Sequence, residues 1–223
     1  VANSEPDNDS LIKKPFITSG FARIYQAADL YNNNRLCVIK QNINASPEET
    51  ERIHHEASIL RQLNHRGIPQ YQDEFGEGLN SYLVMEYIAG KNLWQLLLEL
   101  GKPLPQFRVI HFGQHLCRIV GYLHKQGFIH RDIKPANVLR AERGRLVLID
   151  FGGSDRIGQA TQIAREQTTP GFASPEQSLD MPENAQTDIY GIGATLYMLL
   201  TGQALPPVEY VFQSGIPAQP IWE

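Results

Sequence analysis

Several features are scarce in this chain, and each scarcity removes a class of protein. Only two cysteines occur in 223 residues, Cys37 and Cys117. Both stand in apolar runs and are read as reduced core residues, which sets aside a disulfide framework or a zinc site. Asp and Glu number 24 against 20 Lys and Arg, and no block of like charge stands out. A nucleic-acid partner held on a broad basic surface is therefore not expected. No early stretch reads as a signal peptide. The best apolar run, Ile189–Leu200, is too short to span a bilayer comfortably. A soluble, reducing, cytoplasmic setting is the expectation. No internal repeat is visible.

What is present changes character along the chain. Residues 1–15 are polar, and disorder is expected there. From Phe16 to Ile39 the pattern is strand-like, with Asn32-Asn33-Asn34 as a turn. Ser46-Pro47-Glu48-Glu49 reads as a helix start, with serine as N-cap and proline at the first helical position. That helix is expected to run to about Asn64. Strands follow near Gln70–Phe75 and Ser81–Tyr87. After Gly90 helices dominate: Asn92–Leu100, then Gln106–Gln126 with Ile110, Leu116, Val120 and Leu123 near one face. A strand near Val138-Leu139, a turn at Arg143-Gly144 and a strand Arg145–Ile149 come next. Asp155–Thr169 is polar and without period. Thr187–Thr201 is an apolar helix closed by Gly202, and a proline-rich tail fills 204–223. The expected fold class is α+β in two lobes. A small antiparallel sheet with one helix occupies 16–89, a mainly helical lobe 90–203, and the ligand cleft lies between them.

The run His130-Arg131-Asp132-Ile133-Lys134-Pro135-Ala136-Asn137 is the most specific stretch. It sets a carboxylate, an ammonium and an amide at fixed offsets in one loop. A second acid follows in Asp150-Phe151-Gly152. One carboxylate can take a proton from a hydroxyl, and the other, with Asn137, offers hard oxygens to magnesium. Phosphoryl transfer needs this equipment. Five fixed residue types in H-R-D-x-K-x-x-N arise by chance on the order of once per million starting positions, so coincidence is set aside. The chain resembles the eukaryotic-type protein kinases, and Lys134 suits their serine/threonine branch. The wording Phe21-Ala22-Arg23-Ile24-Tyr25 and Pro175-Glu176-Gln177 resembles the bacterial members.

The resemblance implies roles for particular residues. Asp132 is the base or the group that orients the substrate hydroxyl, and Lys134 neutralises the moving phosphoryl group. Asn137 and Asp150 hold magnesium. Lys40, ending Cys37-Val38-Ile39-Lys40, meets the α- and β-phosphates of ATP, with Glu56 as its acidic partner and Glu51 as the competitor. Ile24, Val38 and Leu139 sandwich the adenine ring. Met85 stands at the gatekeeper position, and the Glu86 carbonyl and Ile88 N–H meet the adenine edge. His130 and Phe151 stack in an apolar column with Leu60. Arg131 implies control by a loop phosphate, for which Thr161 and Thr168 are the better candidates. Thr169 aligns with the family threonine that touches the catalytic loop. Glu176 closes the A-P-E-like segment, here with Ser174 for alanine, and Asp188 holds the catalytic-loop backbone.

Two departures stand beside this. Ile17, Ser19 and Ala22 occupy the glycine positions of the phosphate-covering loop, and only the adjacent Gly20 remains. The family's last helices, which supply an arginine to pair with Glu176, have no counterpart here. A fragment of a longer kinase and a natural short form both end in this way, and an uncovered lower lobe invites self-association or a partner. The expected function is transfer of the γ-phosphoryl group of ATP to serine and threonine hydroxyls of a protein substrate. The alternative is a nucleotide-responsive interaction module without transfer.

Overall fold

A computed structural model of the chain describes residues 17–18, 22–30, 32–43, 46–159, 169–179 and 181–207. The described residues fall into two compact units. One lies within Val1–Asn64 and Pro69–Ile88, the other within His65–Ile68 and from Ala89 onward. The N-terminal segment and most of the proline-rich tail lie outside the described residues.

The first unit is an antiparallel five-stranded sheet in the order β1-β2-β3-β5-β4. The strands are β1 (Ile17–Thr18), β2 (Ala22–Asp29), β3 (Arg35–Asn42), β4 (Tyr71–Glu77) and β5 (Asn80–Glu86). The β2–β3 hairpin closes through Asn33 and Asn34, both at positive φ, a conformation that short polar side chains tolerate. Helix α1 (Pro47–Leu60) packs on this sheet. Its N-terminus is as the sequence suggests: Ser46 accepts from the Glu49 N–H at 3.3 Å, and proline stands in the first turn. It ends at Leu60 rather than near Asn64. Gln62 and Leu63 donate to the carbonyls of Ile59 and Leu60 in tight turns, so the α ladder has already stopped. Ile53, Ala57 and Leu60 face the sheet as a buried stripe, with Glu56 buried among them.

The second unit is built on two long helices. After β6 (Gly90–Asn92) and α2 (Leu93–Leu100), α3 runs Gln106–Lys125. Three short strands follow: β7 (Phe128–Ile129), β8 (Val138–Ala141) and β9 (Leu146–Leu148). β8 pairs with both β6 and β9. Then come β10 (Asp155–Arg156), α4 (Pro175–Ser178) and α5 (Ala185–Thr201). Leu116 and Leu123 are fully buried on α3; truncating either to alanine should cost about 2–5 kcal/mol. α5 packs against α3 closely, and a Cβ on Gly113 would sit 2.9 Å from Leu196. Gly202, at φ 75°, closes α5 in the left-handed conformation.

Three expectations need correction. Ile110 is half exposed, because the buried face of α3 runs through Val109, Phe112, Leu116, Ile119 and Leu123. Cys117 is exposed on that helix, whereas Cys37 is buried; both are free thiols. The polar stretch after Asp155 is not all loop: Asp155 and Arg156 pair with Ile129 and Phe128 as β10 against β7. No helix among the described residues is long and apolar enough to cross a membrane.

Candidate active site

In the first unit, strand register decides which side chains share a face. Ile24 lies opposite Lys40, Lys40 opposite Leu83, and Val38 opposite Met85. Directly opposed residues point the same way, and alternate residues along a strand share a face. Ile24, Val38, Lys40, Leu83 and Met85 therefore line one face of the sheet. Lys40 Nζ lies 2.6 Å from Glu56 Oε2, with the carboxylate almost completely buried. Glu51, on the same helix, is exposed. The Glu86 N–H donates to the Gln70 carbonyl at 2.9 Å, and Ile88 is buried. Leu60 is buried one helical turn after Glu56. Gly20 lies outside the described residues; β1 pairs with β2 on either side of it, Ile17 opposite Ile24.

In the second unit, the loop from His130 to Asn137 folds around one carboxylate. Asp132 Oδ1 accepts from the Thr169 hydroxyl at 2.8 Å. Its Oδ2 accepts from Asn137 Nδ2 at 2.8 Å and lies 2.7 Å from Lys134 Nζ. Lys134 also donates to Thr169 Oγ1 at 2.8 Å, so the four side chains close on one another. Asn137 is fixed twice, since Nδ2 also reaches the Asp132 carbonyl at 2.9 Å. That geometry commits the amide nitrogen to Asp132 and leaves the amide oxygen as the atom with which Asn137 can meet a cation.

Two non-glycine residues here adopt left-handed backbone, Arg131 at φ 72° and Asp150 at φ 66°. Each such conformation costs on the order of 1–2 kcal/mol and must be held by its surroundings. Asp188 does much of the holding at the first. Its carboxylate accepts from the N–H of His130 at 2.9 Å and of Arg131 at 2.8 Å, and from His124 Nε2 at 2.7 Å. The Asp188 side chain is fully buried in the first turn of α5. Helix and loop approach closely because position 191 is glycine: a Cβ there would meet Ile133 at 3.1 Å. The His130 ring stacks edge-on to Phe151 with centroids 4.9 Å apart and hydrogen-bonds the Ile149 carbonyl at 3.2 Å. Leu139, in β8, lies opposite Val147 and is half-buried.

The Arg131 fork meets an internal acid. Nε donates to Glu183 Oε2 at 2.6 Å and Nη2 to Glu183 Oε1, with both side chains buried. Thr161 and Thr168 lie outside the described residues. Sequence reasoning passed over Glu183, which belongs to no motif. It also passed over Gln177, whose amide donates to the Arg131 carbonyl at 3.0 Å, and over Thr187, whose hydroxyl meets Glu176 at 2.7 Å. The one available signal for Glu183 was its place just before Asn184, the N-cap of α5.

A carboxylate that accepts from a hydroxyl, an ammonium beside it, an amide, a second acid and a buried lysine–glutamate pair are the residue types that the protein kinase motifs combine. Residues 18–213 match the protein kinase domain. The chain is 35% identical over 215 residues to Serine/threonine-protein kinase B of Synechocystis sp., covering 88% of this chain and 37% of that protein. It is 30% identical over 196 residues to a probable serine/threonine-protein kinase of Clostridium acetobutylicum, covering 86% and 30%. It is likewise 30% identical over 197 residues to Serine/threonine-protein kinase PknB of Mycobacterium leprae, covering 84% and 31%. The chain thus spans about a third of the length of these relatives. With the matched region taking in nearly all of the described residues, this chain belongs to the protein kinase domain family.

Proposed function

We propose that this chain transfers the γ-phosphoryl group of ATP to serine and threonine hydroxyls of a protein substrate. The observation that carries the reading is the convergence of Lys134, Asn137 and Thr169 on the Asp132 carboxylate. Such a carboxylate is held ready to orient a hydroxyl, and in a loose transition state orientation matters more than proton removal. Lys134 stands beside it to meet charge on the moving group. Lys40, aligned by Glu56, serves the α- and β-phosphates, and the apolar side chains Ile24, Val38 and Leu139 serve the adenine ring. Met85 borders that ring, and the backbone at Glu86 and Ile88 meets its edge. Asn137 and Asp150 would hold magnesium through oxygen, which fits a hard cation that keeps several waters and phosphate oxygens as its other ligands. The bound ion supplies charge neutralisation on the phosphates. Two free thiols suit a reducing compartment, and we place the activity in the cytoplasm.

The test is incubation of the purified chain with labelled ATP and magnesium, with and without a generic protein substrate. Label on serine or threonine is the expected result. ATP with magnesium should also stabilise the fold by about 3–4 kcal/mol at a hundredfold to thousandfold excess over Kd, and Asp150→Asn should abolish that gain. Ile17, Ser19 and Ala22 at the glycine positions favour a second reading, an interaction module that binds nucleotide without transferring phosphate. Stabilisation by ATP with no label transferred would select it.

A further inference from the structure

Arg131 neighbours the catalytic carboxylate, and every polar part of it is engaged. Its N–H donates to Asp188 at 2.8 Å and its carbonyl accepts from Gln177 at 3.0 Å. Nε and Nη2 clasp the two oxygens of Glu183, and Nη1 reaches the Gly153 carbonyl at 3.4 Å. A two-point grip on a carboxylate is the same grip a guanidinium takes on a phosphate. The side chains of Arg131 and Glu183 are 1% and 6% exposed. An incoming phosphate would have to expel Glu183, and would leave a carboxylate buried without its counter-charge.

The acid is also pre-placed. Glu183 directly precedes Asn184, whose side chain caps α5 by accepting from the Gln186 N–H at 2.8 Å. One turn into the same helix, Asp188 grips the backbone of the same arginine. The start of α5 therefore delivers two carboxylates to one residue, one to its main chain and one to its side chain. Through Nη1 the grip extends to Gly153, just past Asp150-Phe151-Gly152.

We propose that Glu183 is a positioning residue, a resident counter-charge that occupies the Arg131 guanidinium and orders the catalytic loop without any phosphate on the chain. Regulation by a loop phosphate on Arg131, as the family resemblance implied, is then replaced by a permanent internal acid. The kinetic consequence rests on the proposed function, whereas the ordering of the loop does not.

The experiment compares wild type, phosphatase-treated wild type and Glu183→Gln. It measures kcat, KM for ATP, and amide hydrogen exchange over 130–137 with α3 as internal reference. Treated wild type should keep kcat within about twofold and keep its protection. Glu183→Gln should lower kcat by about 10–100-fold, the scale of a small misplacement of a catalytic group, with KM for ATP nearly unchanged. Protection should fall in 130–137 while α3 keeps its own. Loss of rate and loop protection on dephosphorylation, with return of both after incubation with ATP and magnesium, overturns the proposal. So does a Glu183→Gln chain with wild-type rate and protection, or one that loses protection equally in α3. If Glu183→Gln does not fold, the paired Arg131→Met, Glu183→Met chain removes both charges and is expected to fold. A loosened 130–137 segment in that chain supports the proposal, and full loop protection overturns it. A wild type that transfers no phosphate fails the proposed function, and the exchange comparison still decides the role of Glu183.

Discussion

Lys40 and Glu56 stand sixteen residues apart in the chain and 2.6 Å apart in space, across the junction of β3 and α1. The carboxylate is 2% exposed and the ammonium 13%. A buried acid at that depth is tolerated because it is paired, and the pair in turn fixes where the lysine points. Lys40→Ala and Glu56→Ala should each slow phosphoryl transfer, and the double variant should cost less in log rate than the two singles summed. Strict additivity in a double-mutant cycle would show that the two do not act as a unit.

Asp132 is surrounded by donors on both oxygens. Asp132→Asn keeps the shape and removes the negative acceptor. We expect kcat to fall by about 10²–10⁴ with nucleotide affinity nearly unchanged. A variant whose Tm falls while its rate per folded molecule stays intact would show a loop-capping role instead.

Asp188 holds two main-chain N–H groups and one imidazole from full burial. Asparagine in its place can accept on one atom only and brings an unwanted donor. The lost charge-assisted bonds are worth about 3–5 kcal/mol together, or about 6–20 °C in Tm for a chain of this size. A shift under about 2 °C in a thermal melt of Asp188→Asn would mean that the loop is held by other contacts.

His65 and His115 line a hollow of about 200 Å³ with Arg66, Arg118 and Arg145. Burial, and after it Arg66, pushes the His65 imidazole below its ordinary value of 6.5. Burial, then His111, Arg118 and Arg66, does the same to His115. Both rings prefer to be neutral in the fold, so below about pH 6.5 the unfolded chain binds more protons than the folded one. Their contribution to stability is whole above that pH and is lost as pH falls through the lowered folded values. Urea melts between pH 7.5 and 5 should show this decline, and it should be shallower in the His65→Gln, His115→Gln chain. Equal slopes would remove the two rings as its cause.

The sequence made some of this legible for physical reasons. Ser46 and Pro47 mark the start of α1 because capping is a local property of four residues. The H-R-D-x-K-x-x-N loop is legible because its chemistry demands fixed types at fixed offsets. Ile110 was misplaced because the 3.6-residue period leaves the phase of the buried stripe open by about one residue, and α5 settles it by packing from one side. β10 is two residues long, too short for any period. Glu183 was invisible for a different reason. Its partner lies 52 residues earlier, and a lone acid before a helix usually does nothing beyond meeting the helix dipole. A contact that depends on tertiary packing leaves no mark in a window of residues.

The grip of Asp188 on the His130 N–H joins positions 58 residues apart, and that separation acquires a meaning on the ribosome. At about 5–20 residues per second, the acceptor is polymerised roughly 3–12 s after the loop it must hold. Until then the left-handed turn at Arg131 has neither of its carboxylates, since Glu183 arrives with the same helix. A nascent chain that has completed all of H-R-D-x-K-x-x-N thus still lacks the carboxylates that hold that loop. They come into place when α5 folds back onto it.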